Sequence, residues 1–234
     1  MPGFPRITGL APMSDIEILY RDADLVAVNK PSGLAVHRGW ADDDAFAMTL
    51  VRDALGQWVY PVHRLDRGAS GVLLFALSPA AARVICERFE QHQVEKRYVA
   101  LVRGAPPEAT VVDHPLRPDN SDVPQAAVTE VHRLEQFGRY AWVEARPQSG
   151  RLHQIRRHLK HLSCPIIGDV KYGKGEHNRL FREHYGLHRL ALHAARLQLR
   201  GVNDELIQIE AALPMELARA VELLRAQRAS NPPQ

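Results

Sequence analysis

The stretch PVHRLDRGASGVLLFAL at 61–77 places Asp66 in a short polar turn that ends at Gly71 and leads into an apolar run of strand length. Such a strand would hold the carboxylate in place. A lone aspartate in a glycine-containing turn is ordinarily a turn former. Here, however, Arg64 and Arg67 bracket Asp66, and nearby cations favour the ionised form that a nucleophile needs. A second basic cluster, HQIRRHLKHL at 153–162, carries Arg156 and Arg157 side by side. On a helix these two point about 100° apart, so they take different jobs, with phosphate contact the plainer one for Arg157.

Three other arrangements have a chemistry of their own to offer, and each falls short. GDVKYGKG at 168–175 nearly spells the phosphate-binding loop G-x-x-x-x-G-K-(S/T), but Gly175 has no hydroxyl for Mg²⁺ and the preceding CPII is a poor strand. His153, His158 and His161 are spaced i, i+5, i+8, not as the i, i+4 pair of a zinc helix, and the glutamate of HExxH is missing. They read as structural or surface histidines. Asp42, Asp43 and Asp44 are consecutive and cannot converge on one metal from a strand or a helix; a solvated turn is expected.

The elements that must position these residues follow from periodicity and turn chemistry. IEILY, RDAD and LVAVN from Ile16 onward form a hairpin, and KPSG follows as a turn. Residues 46–55 form a short helix and GVLLFAL at 71–77 a buried strand. Ser78 caps a helix with Pro79 at its first position and a buried stripe of Ala81, Val84, Ile85 and Phe89. KRYVALVRG, AAVTEVHRL and RYAWVEARP are strands, the last two separated by the turn EQFG. HQIRRHLKHL is helical, LHAARLQL and LIQIEAAL are strands, and Pro214 opens a final helix to about Ala226. Alternation in several strands indicates a central, mainly antiparallel sheet with one covered face, hence a mixed α+β fold.

The 234 residues, 45% hydrophobic and 24% charged, suit one principal domain over 14–228, with breaker-rich stretches at 1–13 and 229–234 expected to be disordered tails. No apolar run is long enough to cross a bilayer, and MPGFPRITGLAPM lacks the layout of a secretory signal, which places the protein in the cytoplasm. Cys86 and Cys164 alone make neither a disulfide framework nor a thiolate zinc site. Formal charge is +3 overall, yet residues 146–200 hold 12 Lys or Arg against 3 Asp or Glu, a local +9 that points to a polyanionic partner.

HRLDRGASG resembles the HRLD-x-x-(T/S)-SG signature of RNA pseudouridine synthases of the RluA type. The likeness continues through NKPSGLAVHRG at 29–39, FEQHQVEKRYVALVRG at 89–104, SGRLHQIRRHLKHLSCPIIGDVKYG at 149–173 and LHRLALHAARLQL at 187–199, covering roughly 15–213. Ala69, Ser149 and Leu152 depart from frequent threonines, which touches loop hydrogen bonding more than the type of reaction. The resemblance implies detachment of uracil from C1′ of ribose, rotation, and reattachment through C5, with no cofactor and no metal. Asp66 matches the catalytic aspartate, which attacks C1′ or C6 or assists departure of uracil.

By the same resemblance Tyr98 packs on the base near the proton lost from C5, Arg156 pairs with the aspartate, and Arg64 fills the gap a flipped base leaves in the RNA stack. RNA contact is expected from Arg64, Arg67, Lys96, Arg97, Arg151, His153, Arg157 and Lys160. The implied partner is RNA, above all tRNA at a T-stem uridine (the uridine-65 type), with ribosomal RNA the alternative; no membrane is involved, and a monomer is the default. The resemblance also implies that binding relies on this domain, without the separate N-terminal RNA-binding domain of some relatives. A catalytically silent RNA binder on the same fold would account for the basic segment. It has no use for a carboxylate facing a polyanion, because like charge weakens association.

Overall fold

The computed structural model describes residues 16–37, 45–119 and 121–230. β1 (Ile18–Arg21) and β2 (Leu25–Lys30) form the expected hairpin. The Asp22 carboxylate closes it by accepting the backbone N–H of Asp24 and Leu25 at 2.8 and 2.6 Å. β2 pairs antiparallel with β4 (Ser70–Ala76), the apolar run after Asp66, and β3 (Tyr60–Pro61) lies beside the end of β4. All of β4 is buried, since successive residues face two different cores. Leu25, Ala27, Val72, Leu74 and Ala76 pack on one side, Val26, Val28, Leu73 and Phe75 on the other. The expectation of one covered face fails here, at the centre of the sheet, and holds at the margin.

The remaining strands are β5 (Glu95–Arg103), β6 (Ala109–Asp113), β7 (Val128–Phe137), β8 (Tyr140–Pro147), β9 (Leu192–Arg200) and β10 (Leu206–Glu210). One sheet runs β1-β2-β4-β9-β5-β8-β7-β6, with β10 beside β9. In β10 only Ile207 and Ile209 are buried, the alternation of a sheet margin. Among the named strands every pairing is antiparallel except β4 with β9, where Ser70 and Gly71 face His193 and Ala194. Gly71 makes that approach possible: its φ is +110°, and a Cβ there would lie 2.2 Å from the Ala194 carbonyl oxygen.

Among the described residues five helices flank the sheet: α1 (Ala47–Leu55), α2 (Pro79–Glu90), α3 (Gln154–His161), α4 (Gly175–Tyr185) and α5 (Met215–Ser230). Ser78 caps α2, its hydroxyl accepting the Ala81 N–H at 3.1 Å. Of the expected stripe, Ala81 and Ile85 are buried while Val84 and Phe89 are half-buried. β7 continues to Phe137, so the turn falls at Gly138 and not across EQFG. α5 continues to Ser230 rather than closing near Ala226, so Ala229 and Ser230 of the expected closing tail are helical, and residues 1–13 and 231–234 lie outside the described residues. Periodicity gave no sign of β6, a short margin strand with Val112 as its buried residue. It also missed α4, whose buried face mixes His177 and Asn178 with Phe181 and Tyr185 and so lacks an apolar stripe.

Candidate active site

Asp66 stands in a turn closed by the Ala69 N–H donating to the Asp66 carbonyl at 3.0 Å, with Leu65 and Ala69 buried on either side. The NKPSG segment is laced to this turn. The Gly33 N–H donates to the Arg67 carbonyl at 2.8 Å and the Ser32 hydroxyl to the Gly68 carbonyl at 2.6 Å. Lys30, fully buried, donates to the carbonyls of Pro31, Leu34 and Arg67 at 2.9, 2.7 and 3.2 Å, and burial lowers its pKa to about 7. At the other end of the turn the Leu74 N–H donates to His63 Nε2 at 2.9 Å, and the His63 ring stacks on Phe89 at 4.9 Å.

Arg156 reaches this turn from α3. Its Nη1 donates to Asp66 Oδ2 at 3.2 Å, while Nε and Nη2 make a bidentate pair with Asp169 at 2.8 and 2.9 Å. Asp169 also accepts the backbone N–H of Lys171 and Tyr172, both at 2.9 Å. Burial alone would lower the Arg156 pKa, but hydrogen bonds and charge from Asp169, then Asp66, outweigh it and leave it raised. Burial alone would likewise raise that of Asp169, and its bonds to Arg156 and to the Tyr172 N–H lower it instead. The guanidinium further lies 5.1 Å from the centre of the Tyr172 ring. Tyr98, on β5, is held above the ordinary phenol pKa by burial and then by the charge of Asp66. Asp66, Tyr98 and Arg156 all line one cleft of about 540 Å³.

Of the remaining residues singled out in the sequence, Arg64, Lys96, Arg151 and His153 line this cleft, and Arg67, Arg97, Arg157 and Lys160 do not. Arg67 holds the Gly33 carbonyl at 2.9 Å. Arg97 is paired with Glu95 and Glu144 at 3.2 and 3.5 Å. Arg157 donates to the Arg117 carbonyl at 2.9 Å, so the neighbouring arginines of α3 do part company. Lys160 sits over the Tyr172 ring at 5.7 Å. The +9 segment is not one exposed face: Arg189 is buried against Glu216 and the Ser70 hydroxyl, and Arg196 and Arg200 pair with Glu210 and Asp204.

GDVKYGKG is no phosphate loop, because the Lys171 and Tyr172 N–H groups are taken by the protein's own Asp169. His158 is structural, bonded to the Thr129 hydroxyl and the His114 carbonyl at 2.9 and 3.0 Å, and Asp42, Asp43 and Asp44 lie outside the described residues. Among the described residues no three His, Cys, Asp or Glu side chains gather as metal ligands would, and no helix is long and apolar enough to cross a membrane. Sequence reasoning gave no role to Asp169, Tyr172 or Lys30, although all three lie inside segments it singled out.

His63 gives the turn a measurable acid limit. Burial, and then the charge of Lys96, lowers its pKa from 6.5 to about 3. The unfolded chain therefore takes up a proton below about pH 6.5 that the folded chain refuses until about pH 3. Stability is full above that window and falls as the pH drops through it, by a few kcal/mol on an order-of-magnitude scale. Urea unfolding of the wild type and His63→Gln between pH 7 and 4 checks this. The variant is expected to lose less stability on acidification, and parallel curves would refute the assignment.

This mainly antiparallel α+β fold holds a carboxylate, clamped by Arg156, and a phenol in one cleft with basic side chains on its lining. A family model described as RNA pseudouridylate synthase matches residues 24–161. The chain is 45% identical to the tRNA pseudouridine synthase C of Vibrio cholerae, over 78% of this chain and 84% of that one. It is 46% identical to the protein of the same name from Salmonella typhimurium, over 79% and 80%. Among solved structures, human RNA pseudouridylate synthase domain containing 4 superposes with a TM-score of 0.75 at 30% identity, covering 89% of this chain and 93% of that one. The chain belongs to the RNA pseudouridylate synthase family.

Proposed function

We propose that the protein isomerises a uridine of tRNA to pseudouridine, acting as a cytoplasmic monomer on a T-stem uridine near the acceptor stem. The observation that carries this is the convergence of Asp66, Arg156 and Tyr98 on one cleft. In the family's reaction uracil leaves C1′, turns, and rejoins through C5, and H5 is then lost. Arg156 keeps the Asp66 carboxylate oriented for its part in breaking the glycosidic bond. The Tyr98 ring packs on the base, with its hydroxyl as the proton-transfer group for H5. No redox step occurs, and the product is an isomer of the substrate.

A base inside a duplex must be extruded first, at a cost of a few kcal/mol. Arg64, exposed on the rim, stacks its flat guanidinium in the vacated place and offsets part of that cost. Lys96, Arg151 and His153 make the nearer RNA contacts; Arg67, Arg97, Arg157 and Lys160 take the outlying backbone, with smaller effects on turnover. The choice of tRNA rests on the likeness to relatives named for it. Tritium release from C5-labelled uridine tests both levels. Release from tRNA transcripts is expected; release from ribosomal RNA alone overturns the substrate, and release from neither overturns the reaction.

A further inference from the structure

α3 begins on a residue that pays for its backbone. His153, its N-cap, has φ +54° and ψ 28°, the left-handed region where glycine is free and other L-residues are strained. Strain of this kind persists at sites where a side chain is needed. The residue lines the cleft with Asp66, Tyr98 and Arg156. Its Nδ1 lies 3.1 Å from the Tyr172 hydroxyl, and Tyr172 is itself fixed by its N–H on Asp169 and by its ring against Arg156. Nε2 meets no acceptor among the described residues.

What Nε2 meets sets the imidazole tautomer in this fold. Where it accepts an N–H, as His177 Nε2 does from Arg103 Nε, the proton sits on Nδ1 toward the Tyr140 hydroxyl, whereas two further buried histidines show the reverse. His158 Nδ1 meets the Thr129 hydroxyl and Nε2 the His114 carbonyl; His193 Nδ1 meets the Ser70 hydroxyl and Nε2 the Ala211 carbonyl. A carbonyl only accepts, so in a neutral ring the proton sits on Nε2 and the hydroxyl donates to Nδ1. His153 repeats the hydroxyl–Nδ1 half of the pattern without the carbonyl. Its pKa is lowered by burial, against the charge of Asp66 and with that of Arg156, which favours a neutral ring with one N–H.

We propose that His153 Nε2–H is a uracil-recognition donor, binding an exocyclic carbonyl oxygen of the target base, a reading that rests on the function proposed above. Uracil offers O4 where cytosine offers an amino group, so a fixed donor at that edge selects uracil. The same donor also serves the reaction. Turning the detached ring about its C6–N3 axis exchanges N1 with C5 and C2=O with C4=O, so a carbonyl faces the donor before and after rotation. His153 is thereby a contact that holds the free base in the cleft between bond breaking and bond making.

The test compares single-turnover pseudouridine formation on a transcript with uridine and one with 4-thiouridine at the mapped target, sulfur being the poorer acceptor. The wild type is expected to lose about tenfold on the thio substrate, the equivalent of one net hydrogen bond. His153→Gly keeps the fold, because φ +54° suits glycine; its melting temperature is expected to be unchanged or higher. Its rate on uridine falls about tenfold and the thio penalty shrinks to less than twofold. His153→Asn, tolerant of the same backbone and carrying an amide donor, restores part of both. A full thio penalty in His153→Gly overturns the proposal. An inactive wild type on plain uridine instead overturns the reaction on which it rests.

Discussion

Replacing Asp66 by alanine is expected to lower single-turnover pseudouridine formation by about 10⁴-fold or more, while RNA affinity stays the same or rises slightly. The loss follows from removing the carboxylate that Arg156 presents to the cleft, the group proposed to share in breaking the glycosidic bond. The binding result follows from charge, since a carboxylate facing a polyanion opposes association. The fold supplies the control. The turn is closed by backbone bonds, and Arg156 keeps both of its bonds to Asp169, so unfolding free energy is expected to change by no more than about 1 kcal/mol. Asp66→Asn preserves shape and removes charge, and should be nearly as inactive. A variant retaining a tenth of wild-type turnover with unaltered folding would show that the reaction does not run through this carboxylate.

The sequence was most legible where the chemistry is local. Asp66 with its following strand, the Ser78–Pro79 start of α2 and the division between Arg156 and Arg157 all depend on neighbours within a few residues, and the structure has each of them as expected. Partnership was less legible. Arg156 meets Asp66 across 90 residues and Asp169 across 13, and only the second pair is bidentate and buried, yet nothing in the spacing of GDVKYG marks that aspartate. Lys30 shows the same limit from the other side. A lysine that opens a KPSG turn looks like surface charge, whereas here it is fully buried and organises three carbonyls beneath the Asp66 turn. The basic segment pointed to a polyanionic partner without showing which of its charges are left for one, since Arg196 is spent on Glu210 and Arg200 on Asp204.

The Arg156–Asp169 pair carries the other large effect. With its side chain 0% exposed against 10% for Arg156, Asp169 is the partner that keeps a guanidinium tolerable so near the core. Removing one member of such a pair strands the other, which costs about 3–5 kcal/mol. Asp169→Ala is expected to lose that much stability, and more than Asp66→Ala, because it also frees the Lys171 and Tyr172 N–H groups and lets go of the platform behind His153. Turnover measured where the variant remains folded should drop about 100-fold, since a clamp displaced by an ångström no longer aims the carboxylate. Acid sensitivity gives an independent reading. The folded pKa of Asp169 is depressed, so its contribution is present above the unfolded value near 3.8 and is lost as the pH falls toward its folded value. The stability gap between wild type and Asp169→Ala should therefore narrow below about pH 4. Equal stability of Asp169→Ala and Asp66→Ala at neutral pH would mean that Arg156 is held by the wrong partner in this account, and that Asp66, not Asp169, is its anchor.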